Sequence, residues 1–156
     1  MKAHIVQVNL SAGGVPKRPV MRARVTSLGL EDDSQAHPKV HGGPERALCL
    51  YSLERILGLQ EEGHPVFPGA LGENLTLWGI PWEQVVPGVR LLLGREVTLE
   101  VTRYTTPCKT IRPFFRDGYI RRVAQPSFPG WSRVYTRVIV PGEIYPGMPV
   151  ALLEHA

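Results

Sequence analysis

The sequence predicts a mainly β domain, an antiparallel or mixed barrel rather than a doubly wound sheet, and three features carry that prediction. Short apolar or alternating runs recur along the chain, Gly and Pro turns separate them, and only one stretch has clear helical spacing. Strands without regularly alternating crossover helices do not build a parallel sheet covered on both faces.

Taken in order, residues 5–8 read as a first strand. Met21, Ala23 and Val25 alternate with Arg22, Arg24 and Thr26, the period of two expected when one strand face is polar. Residues 47–51 form a compact apolar run, and strand signals continue at 75–78, 89–93, 97–101, 134–140 and 150–153. Pro87-Gly88, Pro141-Gly142 and Pro146-Gly147 bracket several of them as turn dipeptides. Residues 53–60 break the pattern. Ser52 suits an N-cap, Glu54 suits the positive first turn, Leu53, Ile56, Leu57 and Gln60 follow helical spacing, and Gly63 with Pro65 end it. Residues 112–123 are a candidate second short helix, opposed by Pro113 and Gly118.

At 156 residues the chain fits one domain, 1–156, large enough to bury a core without disulfides or metals. No apolar run approaches the roughly 20 residues that span a bilayer, and the Met1-Lys2-Ala3-His4 start has no secretory apolar region, so a cytoplasmic location is expected. Two cysteines, Cys49 and Cys108, are too few for a tetrahedral zinc site or an iron–sulfur cluster, and free thiols are expected. Electrons would have to come from another protein. The net charge is +4 and arginine greatly outnumbers lysine. The arginines are scattered, with Arg121-Arg122 the one adjacent pair, which favours a small phosphorylated ligand over nucleic acid.

Three segments can carry chemistry. In His41-Gly42-Gly43-Pro44-Glu45-Arg46, the glycines allow close backbone approach, while His41 and Arg46 could hold an oxyanion; a tight turn with a surface histidine is the commoner structural alternative. In Gly72-Glu73-Asn74-Leu75-Thr76, Glu73 and Asn74 suit either ligand contact or a pinned turn, the latter at least as well. Pro107-Cys108-Lys109 follows a strand, so Cys108 belongs on a loop at a strand end. Positive charge from Arg103, Lys109 and Arg112 favours its thiolate, the form that attacks or ligates; half-buried packing explains the residue equally well. Cys49, between Leu48 and Leu50, reads as an inert buried thiol.

In combination these segments resemble the MOSC family, named after the C-terminal domain of molybdenum cofactor sulfurase. The matching parts are His41-Gly42-Gly43 with Arg46 and Tyr51, then Gly72 to Thr76, then Pro107-Cys108-Lys109, then an arginine–tyrosine strand over 133–140 leading to Gly142 and Gly147. Order and spacing hold over nearly the whole chain, and the single-domain form is similar to the bacterial branch linked to resistance against N-hydroxylated base analogues. The resemblance implies a MOSC-type β-barrel with one or two short helices and molybdenum cofactor (molybdopterin) as ligand. It implies that Cys108 coordinates molybdenum or carries sulfur as a persulfide. The cofactor phosphate would meet His41, the Gly42 and Gly43 amides and some of Arg46, Lys109 and Arg112. The chain departs from the family at Asp32-Asp33 and Gly147-Met148, where Gly-Asp is frequent, and at Thr105-Thr106, near which an arginine is frequent.

Two functions compete under that resemblance. One is a molybdenum-dependent oxidoreductase that reduces N-hydroxylated compounds with electrons from a separate reductase; the other is a sulfur carrier or cofactor-delivery module supplied by a sulfur donor. Pyridoxal phosphate attaches to the family only through fusions to desulfurase-like domains, and no lysine here suggests a Schiff base. A homodimer is compatible with either, a membrane partner is not expected, and aromatics at 8% are not interleaved with basic clusters as nucleic-acid stacking requires.

Overall fold

The computed structural model describes residues 2–34 and 43–153. Eleven strands are β1 (His4–Leu10), β2 (Arg18–Val20), β3 (Ala23–Thr26), β4 (Gly29–Leu30), β5 (Leu48–Ser52), β6 (Leu75–Trp78), β7 (Arg90–Leu93), β8 (Val97–Tyr104), β9 (Val134–Val140), β10 (Gly142–Ile144) and β11 (Val150–Leu153). Eight of them form one sheet in the order β11-β7-β8-β9-β5-β6-β1-β2, and β10-β3-β4 form a second. The mainly β class is therefore observed. The large ladder is open, ending on β2 and β11, rather than a closed barrel. Its nearest approach to closure is main-chain bonding between the start of β1 and the residues before β11: Ile5 N to Met148 O, Gly147 N to Ile5 O and Val150 N to Ala3 O, at 2.7–3.0 Å.

Pairing is antiparallel throughout except between β5 and β6. A parallel pair needs a crossover, and the helix α1 (Leu53–Glu61) lies in this one. Ser52 caps it as its spacing predicts, the hydroxyl accepting from Arg55 N at 3.2 Å, while Ile56 and Leu59 are buried beneath. The second expected helix is two 3-10 turns, Lys109–Phe114 and Ile120–Val123. Pro113 supplies no amide proton, and Gly118 at φ +69° reverses the chain between them.

The core fills from the strands' inward faces, with Leu50, Leu75, Leu91, Leu99 and Val134 fully buried. Every residue of β5 is buried, as its apolar run predicts. Short β2, β4 and β10 escape sequence reading because two or three residues show no period; Met21, expected in a strand, is exposed just before β3.

Candidate functional site

One pocket collects loops from five parts of the chain. Its walls are the 14–17 loop, Arg46 with Cys49 of β5, the 71–74 turn, the 106–111 segment, and Arg133 with Tyr135 at the start of β9.

Cys108 reaches it because β8 runs out at Tyr104, Thr105 N still pairs with Arg133 O, and Pro107 ends that pairing. The cysteine is extended (φ −125°, ψ 165°), half-buried, and starts the 3-10 turn; its Sγ lies 2.8 Å from Thr110 Oγ1. Cys49 lines the same pocket but is 7% exposed, and burial pushes its thiol up to about 11. Only Cys108 is therefore an accessible thiol among the described residues.

The pocket's buried cations come from residues that motif reading did not single out as ligands. Arg133, 7% exposed, donates from Nη1 to Leu71 O at 2.6 Å, while its buried Nε has no partner. Among the described residues no carboxylate lies within ion-pair distance of it. Lys17, also lining the pocket, is satisfied: its Nζ donates to both oxygens of Asp33 at 2.8 Å, and both side chains are nearly fully buried. Asp33 also accepts from Ser11 N and Asn74 Nδ2. Asn74 ties the wall together further, its Oδ1 accepting from Cys49 N and its Nδ2 reaching Asn9 O. Gly69, at φ +91°, lets the 14–17 loop close down on this corner, since a Cβ there would strike Lys17 O.

Of the residues singled out from the sequence, Cys108, Arg46 and Asn74 line the pocket. Arg46 also lies over the Tyr135 ring at 5.8 Å, and burial raises that phenol to about 12. Glu73 does not line it. Fully buried, its Oε2 accepts from Gly69 N and Thr76 Oγ1, Oε1 has no partner, and burial raises its acidity range, so it pins the turn. Gly43 precedes the 3-10 turn Pro44–Arg46 at φ +96°, exposed and off the lining. Arg103, Lys109 and Arg112 are exposed and off the lining too: Arg103 sits on an outward position of β8, and the short 3-10 turn points Lys109 and Arg112 away from the side that Cys108 and Ile111 share. His41 and Gly42 lie outside the described residues. Lys17 belongs to no local motif, and Arg133 enters the family pattern only as the first residue of the arginine–tyrosine strand, with no ligand role. Only folding shows that they are buried.

Such a mainly β domain, with one accessible thiol over an arginine-floored pocket, is placed by comparison with known proteins. A model of the MOSC domain matches residues 37–151, and the chain belongs to that family. Protein YiiM of Escherichia coli K12 is 35% identical over 135 residues, covering 83% of this chain and 58% of that protein. Uncharacterized protein YflK of Bacillus subtilis is 33% identical over 144 residues, 90% of this chain and 63% of that one. A protein of Gibberella moniliformis named "Reductase" is 31% identical over 141 residues, which are 87% of this chain and 24% of that protein. The chain thus spans about three fifths of YiiM and YflK and a quarter of the reductase. Among solved structures, Escherichia coli YiiM superposes with a TM-score of 0.72 at 27% identity, covering 100% of this chain and 72% of that one. A hypothetical protein's crystal structure gives 0.77 at 30% identity, with 99% and 70% covered.

Proposed function

We propose that this pocket binds molybdenum cofactor, with Cys108 as the single protein ligand to molybdenum, and that the loaded protein reduces N-hydroxylated compounds with electrons from a separate donor. In this reading residues 1–156 act as one cytoplasmic MOSC domain, and the contact between residues 3–5 and 147–150 completes a barrel. The observation that carries it is Cys108 in one pocket with Arg133, a buried cation with an unpartnered Nε. A buried charge without a counter-charge is costly, and a bound anion would offset that cost. A soft thiol beside an anion-seeking guanidinium fits a ligand that carries both a soft metal and negative charge.

The donor set supports the same reading. Among the described residues no group of three or more His, Cys, Asp or Glu could hold a metal. One thiol suffices when the metal arrives already held by an organic ligand. The bound cofactor would supply two-electron redox chemistry at molybdenum. Arg133 and Arg46 would hold its negative charge, and Gly72, with no side chain, lets Val15 close on that wall, since a Cβ there would meet Val15 Cγ1 at 3.1 Å. Tyr135 keeps its proton throughout the physiological range and so presents an O–H. Val15, Leu71 and Ile111 keep water from the interior wall. The Lys17–Asp33–Asn74 network holds the 14–17 loop in place.

The test offers the loaded protein an N-hydroxylated amidine with a chemical electron donor, beside Cys108→Ser. Reduction by the parent and at least a hundredfold loss in the variant is expected. In parallel, the apo-protein is incubated with a cysteine desulfurase and labelled cysteine. Label retained on Cys108 with no reduction by the loaded parent would overturn the reductase reading in favour of a sulfur carrier.

A further inference from the structure

The charge of this chain is not spread evenly. Residues 103–122 hold six basic side chains, Arg103, Lys109, Arg112, Arg116, Arg121 and Arg122, against Asp117 alone, a net +5. The whole chain is +4, so the other 136 residues sum to −1. The excess positive charge of the protein therefore resides in the segment that carries Cys108.

Arg122 is spent on structure. It makes a two-pronged bond to Glu62 and lies over the Phe128 and Trp131 rings at 4.6 and 3.9 Å. The remaining five are exposed, and none makes an ion pair among the described residues. Two of them flank the pocket lining directly. Thr106, Cys108, Thr110 and Ile111 face the pocket, whereas Lys109 and Arg112, between and after them, face solvent. Apolar surface accompanies them. Phe67 is 43% exposed and meets Phe114 edge-on at 5.7 Å, and Tyr119 is 47% exposed. Arg112 packs its Cγ against Gly118, next to Tyr119. Exposed aromatics among unpaired cations form the pattern of an interface with an apolar centre and a charged rim.

We propose that this collar of Arg103, Lys109, Arg112, Arg116 and Arg121, with Phe67 and Tyr119, docks an acidic partner protein at the mouth of the Cys108 pocket. The proposal rests on the reductase reading for the partner's purpose: the carboxylate-rich face is that of the electron donor, brought to the pocket that holds the thiol. A second partner class, nucleic acid, fits less well. Phe67 packs its ring edge-on against Phe114 rather than standing free as a platform, and stacking on successive bases needs exposed ring faces along a groove. Unpaired rim charges of one sign raise encounter rates with an oppositely charged partner and impose steep salt dependence.

The experiment measures binding of apo-protein to a flavodoxin, a small acidic flavin protein, by biolayer interferometry at about 50 and about 300 mM salt. It compares the parent with Lys109→Glu/Arg112→Glu/Arg116→Glu and with a control, Arg95→Glu. Arg95 sits in the turn between β7 and β8, at the far end of an eight-residue strand, roughly 25 Å from the collar. Binding that weakens at least about tenfold in high salt, and at least about tenfold in the triple variant but not in the control, is expected. A milder Lys109→Gln/Arg112→Gln variant, checked by circular dichroism, guards against misfolding and should fall between them. Absence of binding by the parent, equal losses in control and triple variant, or tighter binding to a mixed-sequence 20-nucleotide strand than to flavodoxin would overturn the proposal. Cys108→Ser separates it from the reading it rests on: the variant should keep flavodoxin binding even where molybdenum is lost.

Discussion

Replacing Asp33 by alanine probes the corner that shapes the pocket. The carboxylate takes both contacts from Lys17 Nζ at 2.8 Å, one from Asn74 Nδ2 at 2.8 Å and one from Ser11 N at 2.9 Å. The two charged side chains are 6% and 5% exposed. Asp33→Ala leaves a buried ammonium without its counter-charge, which costs about 3–5 kcal/mol when water cannot reach it. Ser11 N and Asn74 Nδ2 lose an acceptor as well, but Ser11 is half-buried at a neighbouring surface cleft and Asn74 Nδ2 keeps Asn9 O at 3.3 Å, so the sum stays at about 4 kcal/mol. For a domain of this length each kcal/mol moves the midpoint by about 2–4 °C, giving a fall of roughly 8–16 °C. The double variant Lys17→Met/Asp33→Leu removes both charges together and should recover most of that loss. Urea and thermal unfolding followed by circular dichroism measure all three proteins. A cost below about 1 kcal/mol for Asp33→Ala, or a double variant less stable than the single, refutes the reasoning.

Three further outcomes follow from individual groups. With its thiol near 11, Cys49 is ionised in only about one molecule in a thousand at pH 8, so iodoacetamide should label Cys108 first; equal labelling rates in mass spectra would contradict this assignment. Burial raises the Glu73 carboxyl, so the native state holds that proton more tightly than the unfolded chain does. The associated stability is full below about pH 4.5 and is lost as pH rises above it, and Glu73→Gln should flatten that part of the stability–pH curve relative to the parent; parallel curves in urea titrations would remove the argument. Asp32 sits at φ +67°, a region that glycine enters without strain, so Asp32→Gly should add up to about 1 kcal/mol, and a loss of stability would show that its side chain matters.

The legible parts of the sequence were those with a local cause. Ser52 caps its helix through one hydroxyl, β5 reads as buried because every residue of it is, and Pro107 places Cys108 past a strand end. The Gly-Asp pattern broken at Asp32-Asp33 marked a real left-handed position, with Asp33 as the ion-pair partner of Lys17. What depended on long-range packing was hidden. Lys17 and Arg133 look like ordinary surface cations until strands distant in sequence bury them. Conversely, Arg103, Lys109 and Arg112 are near Cys108 in sequence but lie off the pocket, Arg103 on an outward position of β8 and the other two because the 3-10 turn there does not keep neighbours on one side. Glu73, expected at the ligand or the turn, pins the turn because its Oε2 accepts from both Gly69 N and Thr76 Oγ1.

The central claim is that Cys108 is the protein's ligand to molybdenum. Parent, Cys108→Ser and Cys49→Ser proteins, each purified from cells that make molybdenum cofactor, can be assayed for bound molybdenum by inductively coupled plasma mass spectrometry and for bound pterin by fluorescence. Near-stoichiometric molybdenum in the parent and in Cys49→Ser, falling at least about tenfold in Cys108→Ser, is the predicted result. Equal molybdenum in Cys108→Ser and the parent would contradict it.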